Sequence, residues 1–358
     1  MLGKILEKEE LNYEDMLFLM KLKKKEDIEK LYKKAYQIKA DYVGKKVYFR
    51  GLIEISNICI KNCNYCGIRK DNKKVERFMM TKEEILTLAK WIYENNYASI
   101  VLQSGERQDQ EFIDFIEDVL KEIKKLSDNK LGITLSLGEQ SYETYERWFK
   151  AGAHRYLLRI ESTNQNLFNI LHPNDKNHRY QIRKKCLEYL RDIGYQVGTG
   201  VMIGFYGQKE EDLVRDIMFY KDMDIDMIGM GPYILHNDTP LGQEWKNKLL
   251  SKEKRVELGL KMIAITRLYL KDVNIASTTA LQTLEDSARE KGLLAGANIL
   301  MPTATSVEYK SKYSLYENKA NINDDAKTNK ESLDKKVSSI GDKIIYGEWG
   351  DSIHFRKR

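Results

Sequence analysis

Three cysteines lie within eight consecutive positions, at Cys59, Cys63 and Cys66, and the chain has only four cysteines among its 358 residues. Buried cysteines are common as small apolar core residues, but packing does not account for three of the four falling in one short loop. Thiolates at this spacing hold a metal ion or an iron-sulfur cluster, and three of them leave one coordination position without a cysteine ligand. An open coordination position is where a cofactor or substrate binds and reacts.

Zinc is the alternative metal for this loop. A structural zinc ion takes four tetrahedral ligands, usually from two separated pairs, and the sequence contains no second cysteine pair. None of the five histidines lies near the loop, so zinc would require a distant ligand such as His236. The sequence alone leaves this alternative open.

Composition and charge indicate a single large globular domain with an enzyme's size. Hydrophobic residues make up 42% of the chain, and 60 basic against 54 acidic residues give a net charge of only +6. The lysines are spread along helical patterns, which argues against a nucleic-acid-binding arm. The sequence has no apolar run of membrane-spanning length and no signal-peptide core at its start. We therefore expect a cytoplasmic protein that binds neither nucleic acid nor membrane.

Strand patterns alternate with helical patterns along most of the chain. Two charged amphipathic helices are predicted between about 12 and 40, and a capping box at Thr81 and Glu84 predicts a helix that ends near Asn96. The predicted strands are the segments 47–56, 99–103, 132–137, 155–161, 196–205, 226–233, 273–279 and 297–302. Eight strands separated by helices predict an α/β fold, a (β/α)8 TIM-type barrel.

This reading divides the chain into an N-terminal helical extension (1–46), the barrel (47–305) and a C-terminal extension (306–358). The extension after the barrel is polar and lysine-rich, so we expect part of it to be mobile. Its last stretch, IIYGEWGDSIHF, could dock as a short element, a question that the sequence leaves open.

Polar residues follow the predicted strands at their carboxyl ends, where barrels of this type place their active sites. They include Gln103, Ser104 and Glu106 after the second strand, Thr134 and Ser136 on the third, and Arg159 and Glu161 on the fourth. Alternation along the fourth strand directs Leu157, Arg159 and Glu161 to one face. A charged pair facing the barrel interior either lines a site or forms an internal ion pair.

The spacing C-x3-C-x2-C, with Tyr65 before the third cysteine and Gly67 after it, resembles the signature of the radical S-adenosylmethionine (radical SAM) superfamily. The runs VLQSGE, ITLSLGE, AGAHRYLLRIESTN, MGPYILHNDTPLG, TTALQT and AGANILMP extend the resemblance over nearly the whole chain, to about residue 316. Together they are similar to the HydE family of FeFe-hydrogenase maturases, in the biotin-synthase-like branch. Methylornithine synthase and biotin synthase share part of the pattern.

The resemblance implies roles for individual residues. Cys59, Cys63 and Cys66 would hold a 4Fe-4S cluster, and Tyr65 is the aromatic residue beside it. Ser104, Gly105 and Glu106 match the segment that receives the methionyl amino group of S-adenosylmethionine. Glu161 matches the residue that binds its ribose, and Arg183 matches the residue that binds its carboxylate. Gln103 and Ser136 are assigned to the same cofactor site. The positions that match the lining of the family's internal substrate and anion cavity are Arg159, Thr134, Thr278, Thr279 and Tyr309.

The same resemblance implies an activity. The reduced cluster would cleave S-adenosylmethionine to a 5'-deoxyadenosyl radical that acts on a small iron-carbonyl-cyanide-cysteine substrate during assembly of the hydrogenase active site. The expected partners are an electron donor such as ferredoxin or flavodoxin and, transiently, other hydrogenase maturation proteins, and the protein is expected to be a monomer. An amino-acid mutase similar to methylornithine synthase and a non-catalytic carrier of iron-sulfur fragments remain the alternatives.

One departure from the family concerns the C-terminal region. Many HydE proteins have three further cysteines there that hold an accessory cluster, whereas this chain has no cysteine after Cys186. We therefore expect no accessory C-terminal cluster. Cys186 lies on an apolar stripe with Ile182, Leu190 and Ile193 and is predicted to be a core residue.

Overall fold

The computed structural model describes residues 1–320, 323 and 325–358. Its strands are β1 (Lys46–Phe49), β2 (Gly51–Ser56), β3 (Ser99–Ser104), β4 (Gly132–Ser136), β5 (Ala153–Leu157), β6 (Gln196–Thr199), β7 (Met202–Ile203), β8 (Met227–Ile228), β9 (Gly231–Pro232), β10 (Asn274–Ile275), β11 (Ile299–Leu300) and β12 (Lys343–Ile345). Its helices are α1 (Leu2–Leu6), α2 (Tyr13–Met20), α3 (Lys25–Tyr42), α4 (Lys82–Glu94), α5 (Gln110–Leu126), α6 (Tyr142–Lys150), α7 (Gln165–Leu171), α8 (Tyr180–Ile193), α9 (Glu210–Asp222), α10 (Pro240–Glu244), α11 (Lys252–Leu270), α12 (Thr279–Leu284), α13 (Ala288–Leu294), α14 (Val307–Lys312), α15 (Ala326–Ser339) and α16 (Ile353–Arg356).

Parallel strands form a ring at the centre of the molecule. Seven of them are hydrogen-bonded in the order β2, β3, β4, β5, β6, β8 and β10. β11 completes the ring: Ser277 N donates to Ile299 O over 3.0 Å beside β10, and β11 pairs in parallel with β1, which runs directly into β2. All eight predicted strand segments contribute to this ring, and the TIM-type α/β fold is confirmed.

The helices follow the capping and periodicity of the sequence. Thr81 and Glu84 form the predicted capping box, in which each side chain accepts from the other residue's backbone N–H, and the helix ends at Glu94. On α5, the apolar residues Phe112, Ile116 and Leu120 lie on one face and are fully buried. Burial of such stripes on the outer face of the strands stabilises the ring.

The N-terminal helices pack on the outside of the barrel. α2 packs against α9 and α3 packs against α11, and a short α1 precedes the two helices that the sequence predicted. Within the described part of the chain, none of the helices combines the length and apolar character needed to cross a bilayer.

The C-terminal region contacts both ends of the barrel. A segment that we call the strap, residues 313–319, crosses the carboxyl end, where Gly67 N donates to Leu315 O over 2.9 Å. After α15, β12 pairs in parallel with β1, and the last residues cover the amino end, so the run IIYGEWGDSIHF does dock on the barrel. There the fully buried Arg155 donates to Trp349 O and to Asp351 Oδ1, each over 2.9 Å. The residues of the predicted mobile tail at 321, 322 and 324 lie outside the described residues, and the domain limits at 46 and 305 stay predictions.

Replacing Asp351 by alanine is expected to lower the free energy of unfolding by about 3 kcal/mol, since the buried Arg155 would lose its carboxylate partner. Burial raises the pKa of Asp351, but His154 and Arg155 outweigh it and hold that pKa below its ordinary value. The stabilisation is therefore present above about pH 4 and is lost only as the pH falls through the lowered pKa. Urea denaturation measures it. Glu331→Ala, an exposed change on α15, is the control, and equal midpoints for the two variants would show that Asp351 is not the partner Arg155 needs.

Candidate active site

A cavity of about 250 Å³ opens at the carboxyl ends of the barrel strands. Most of the residues predicted to bind the cluster or S-adenosylmethionine line this single cavity, together with Arg159. The lining includes Cys59, Cys63, Cys66, Tyr65, Gln103, Ser104, Gly105, Glu106, Ser136, Arg159, Glu161 and Arg183. Residues from β2, β3, β4, β5 and α8 are thus brought to one site by the barrel.

The cysteine loop leaves the carboxyl end of β2 and is fixed by side chains that donate to backbone carbonyls. Asn57 Nδ2 donates to Glu76 O and to Lys312 O over 2.8 and 2.7 Å, and Arg77 donates to the carbonyls of Asn57 and Ile68. Hydrogen bonds at both ends of a loop limit its conformational freedom. The three thiols are therefore held in place by side chains that do not themselves bind a metal.

The three thiols suit an iron-sulfur cluster as a donor set. Burial raises the pKa of Cys63 to about 12, and burial with the neighbouring Cys63 and Cys59 raises that of Cys66. Thiolates this close are stable only with positive charge between them, which iron supplies, since a coordinating thiol is deprotonated by its metal. Among residues 1–320, 323 and 325–358, no three His, Cys, Asp or Glu side chains converge tightly enough for a single metal ion. Three soft thiolate donors are the ligand type that iron-sulfur clusters take.

Gly105 allows β3 to approach the cysteine loop closely. A Cβ atom at this position would lie 2.4 Å from Ile58 O and 2.8 Å from the Cβ of Cys59. Glu106 N donates to Cys59 Sγ over 3.3 Å immediately afterwards. Gly138 makes similar room for the next side chain, since its own Cβ would lie 2.3 Å from Glu106 Oε2.

Replacing Gly105 by alanine is expected to lower the iron bound per chain several-fold after reconstitution, because the new methyl group forces Cys59 away from the other two thiols. Iron and sulfide analysis measures the loss. Gly3→Ala is the matched control, since no atom lies within 4 Å of a Cβ built there. Full iron content in the Gly105 variant would contradict the close approach.

Four buried charges form a network beside the cysteines. Lys61 Nζ lies 2.7 Å from Glu139 Oε2 and 3.1 Å from Glu106 Oε1. Arg183 Nε donates to Glu139 Oε1 over 2.6 Å, and Arg183 Nη1 donates to the carbonyl of Arg159. Each charge has an opposite partner, as buried charges require.

The two carboxylates of this network differ in pKa. Burial and the nearby Glu139 raise the pKa of Glu106 to about 7, although Lys61 opposes this rise. Burial also acts on Glu139, but Arg183 and Lys61 outweigh it and lower its pKa. Glu139 has two cations within hydrogen-bonding distance and Glu106 has one, which explains the difference.

Arg159 and Glu161 face the same cavity, but strand alternation does not place them there, because β5 ends at Leu157. Arg159 Nη2 lies 3.0 Å from Glu161 Oε2, so the pair also forms the internal ion pair that was the alternative reading. Arg159 Nε and Nη2 and Glu161 Oε2 nevertheless lack a well-aligned hydrogen bond. Glu161 has a φ of +66°, a conformation that costs a non-glycine residue about 1–3 kcal/mol. Strain and unpaired polar atoms of this kind indicate a site prepared for a polar ligand.

The structure places four predicted cavity residues elsewhere. Thr134 lies below the main cavity, beside a separate void of about 20 Å³, and its hydroxyl accepts from Arg155 Nε over 3.1 Å. Thr278 and Thr279 lie at the start of α12 and are not part of the cavity wall; the hydroxyl of Thr279 accepts from Arg289.

Tyr309 is also outside the cavity, because α14 lies beyond the ends of the strands. Its ring stacks on Phe78 with centroids 4.7 Å apart, and its hydroxyl donates to Glu84 Oε1 over 2.8 Å. The expected position of Tyr309 in the cavity wall is corrected accordingly.

Two other sequence expectations concern residues outside the site. Cys186 is buried, and its thiol lies 3.6 Å from Gln140 O, which confirms the core prediction. His236, the distant zinc ligand considered above, packs behind the loop, where a Cβ on Gly67 would lie 2.6 Å from its Nε2.

Sequence reasoning missed several residues at the site. Lys61 and Glu139 complete the charge network, while Tyr313, Leu315 and Tyr316 of the strap cover the cavity. Lys61 stands within the cysteine motif, and Glu139 follows Gly138 in the run ITLSLGE. Their positions in these motifs could have identified both as site residues. The strap gave no such signal because it lies in a segment without periodicity.

Comparisons with known proteins agree with this geometry. A sequence model of the Radical SAM superfamily matches residues 53–220. The "[FeFe] hydrogenase maturase subunit HydE" of Thermotoga maritima is 45% identical over 292 residues, which cover 81% of this chain and 80% of that protein. The 3-methylornithine synthase of Methanosarcina acetivorans is 26% identical over 319 residues, covering 87% of this chain and 85% of that one.

Solved structures support the fold independently. The crystal structure of methylornithine synthase (PylB) superimposes with a TM-score of 0.80 at 22% identity and covers 97% of both chains. At that identity the likeness concerns the fold, whereas 45% identity over four fifths of both chains assigns the family. The chain is thus a radical SAM enzyme and belongs to the HydE family of [FeFe] hydrogenase maturases.

Proposed function

We propose that this protein binds a 4Fe-4S cluster through Cys59, Cys63 and Cys66 and uses S-adenosylmethionine to act on a small sulfur-containing iron-carbonyl-cyanide-cysteine substrate during assembly of the hydrogenase active site. The observation that carries the proposal is the single cavity whose wall combines three thiols with the polar groups of β3, β5 and α8. Membership of the HydE family supports the substrate class. When bound, the reduced cluster and S-adenosylmethionine supply a 5'-deoxyadenosyl radical.

The residues around the cysteines are suited to hold the methionyl part of S-adenosylmethionine. Arg183 presents a guanidinium to the cavity while Glu139 holds its Nε and the carbonyl of Arg159 accepts from its Nη1, and its other N–H groups can bind a carboxylate. Ser104, Gly105 and Glu106 line the wall beside Cys59, where an amino group would be received. Glu161 Oε2, which has Arg159 as its ion-pair partner but no well-aligned hydrogen bond, can accept from a ribose hydroxyl.

The part of the cavity beside Arg159 is suited to a small substrate. Arg159 has a buried Nε there without a hydrogen-bond partner, and Tyr313 and Leu315 of the strap line the cavity. Exclusion of water protects a radical from unwanted reactions and strengthens the electrostatic contacts of the bound substrate. A cavity of about 250 Å³ limits the site to small molecules.

We further propose that activity requires no accessory cluster, because the cysteines of this chain number four and Cys186 is buried apart from the other three. Reconstitution should then yield about four iron atoms per chain, as one 4Fe-4S cluster requires.

The test is an anaerobic assay. The protein is reconstituted with iron and sulfide, reduced with dithionite and supplied with S-adenosylmethionine, and 5'-deoxyadenosine is measured with and without the iron-carbonyl-cyanide-cysteine complex. We expect deoxyadenosine in both cases and faster formation with consumption of the complex when it is present. A fully loaded protein that forms no deoxyadenosine under either condition would favour the non-catalytic carrier.

The amino-acid mutase is kept as a second candidate because the methylornithine synthase fold covers 97% of the chain. It predicts deoxyadenosine formation that is stimulated by an amino acid and not by the iron complex. Product analysis by mass spectrometry separates the two functions.

A further inference from the structure

A basic surface lies directly outside the cysteine loop. The segments 62–77 and 171–179 contain seven basic and three acidic residues. The neighbouring Lys61 is buried and is not counted among them. Lys70, Lys73, Lys176 and Arg179 are exposed, and in the described part of the chain they form no ion pair. We call these four side chains the basic rim.

Backbone contacts join the two segments into one surface. Lys70 N donates to Lys61 O over 2.8 Å, and the Lys61 side chain in turn donates to Asn177 O. Asn62 N donates to His178 Nε2 over 2.9 Å. Lys70 and Lys176 therefore lie on either side of Lys61 and Asn62, the two residues of the cysteine loop that make these contacts.

The acidic residues of these segments are already engaged. Asp71 accepts from Asn62 Nδ2 over 2.5 Å, Asp175 lies 2.7 Å from His178 Nδ1, and Glu76 lies 2.8 Å from Lys312 Nζ. They offset part of the positive charge without reversing it. The outward-facing charge of the two segments remains positive.

One cluster ligand lies immediately beneath this surface. Cys63 is buried, whereas Asn62 and Asn64 on either side of it are half-buried on the outer face of the loop. Asn64 Nδ2 donates to the carbonyl of Ile170, whose side chain is 45% exposed. A small apolar centre surrounded by charged residues suits a short-lived protein contact.

We propose that the basic rim is the docking surface for a small acidic one-electron carrier protein, placing the reduced carrier next to Cys63. The inference rests on the proposed function, since that function requires an electron from outside the barrel. In the transfer, one electron leaves the reduced carrier, which is oxidised by one electron, and enters the oxidised 4Fe-4S cluster, which is reduced by the same electron. No atom or proton is transferred.

The test compares two charge-reversal variants of the full, reconstituted protein. Lys70→Glu/Lys176→Glu changes the basic rim. Lys23→Glu/Lys33→Glu makes the same change in charge at two exposed lysines of the N-terminal region, one in the connection between α2 and α3 and the other on α3. Reduced flavodoxin and reduced ferredoxin serve as acidic carriers, reduced methyl viologen serves as a small cationic donor, and stopped-flow absorbance follows reduction of the cluster.

We expect the rim variant to be reduced by the acidic carriers about tenfold more slowly than the parent at low ionic strength, with the difference vanishing near 1 M salt. Methyl viologen should reduce it no more slowly than the parent, and the Lys23/Lys33 variant should behave as the parent with every donor. Equal slowing of both variants would show attraction to overall charge and overturn the proposal. So would unchanged rates in the rim variant, or failure of both carriers to reduce a parent that methyl viologen reduces.

The proposed function fails separately. If methyl viologen reduces the cluster but no deoxyadenosine forms in the presence of S-adenosylmethionine and substrate, the proposed activity is wrong whatever the carriers do.

Discussion

Replacing Cys63 by alanine is expected to abolish the visible iron-sulfur absorbance and to lower deoxyadenosine formation by at least about a thousandfold. Cys63 is the middle of three thiols on one cavity wall, so its loss leaves two protein ligands for the cluster. Two ligands do not hold a 4Fe-4S cluster in this loop, since it has no further cysteine. Absorbance, iron content and the deoxyadenosine assay measure the effect.

Cys186→Ala is the matched control, because it removes the remaining cysteine from the core. It should retain the iron content of the parent. A Cys63 variant that also retained four iron atoms per chain would refute the assignment of the cluster ligands.

Arg183→Ala is expected to raise the dissociation constant of S-adenosylmethionine by about 10- to 100-fold, which corresponds to the loss of a charge-assisted hydrogen bond. The guanidinium is buried and faces the cavity, so water does not replace it well. Arg183→Lys should be intermediate, because the ammonium keeps the charge but not the forked geometry. Equilibrium binding to the reconstituted protein measures the change.

Lys184→Ala is the control for this experiment, since Lys184 is the next residue on α8 and does not line the cavity. Iron content should be unchanged in all three variants, because Arg183 contacts Glu139 and not a cysteine. An unaltered dissociation constant in a fully loaded Arg183 variant would remove Arg183 from the cofactor site.

The architecture was predictable because strands and helices of a barrel differ in period and alternate regularly. The segment 99–103, for example, contains three consecutive apolar residues that are buried in β3, while Phe112 and Ile116 follow the helical period of α5. The segment 226–233 illustrates the limit of this approach. It was predicted as one strand, but Gly229 and Met230 separate β8 from β9, and β9 pairs with β7 instead of continuing in the seven-stranded sheet.

The candidate site was predictable where its residues lie in motifs at the ends of strands. Glu161 and Arg159 were found because they follow an apolar strand. The pairing of Lys61 with Glu139 was not, because it joins residues 78 positions apart through three-dimensional contact alone. Tyr309 illustrates the converse. The family resemblance assigned it to the cavity wall, whereas its hydroxyl on α14 donates to Glu84 outside the cavity.

The pairing of β1 determines when the barrel can close during synthesis of the chain. This strand is among the first to leave the ribosome, yet both of its neighbours, β11 and β12, lie near the end of the chain. Contacts this distant in sequence slow folding, and until they form the strand has unpaired edges that invite aggregation. The cysteine loop, which begins just after β2, is synthesised long before the barrel can close around it. We therefore expect the cysteine loop to be loaded with iron and sulfide only after translation. If the protein is overproduced faster than its barrel closes, aggregates without iron are the expected result.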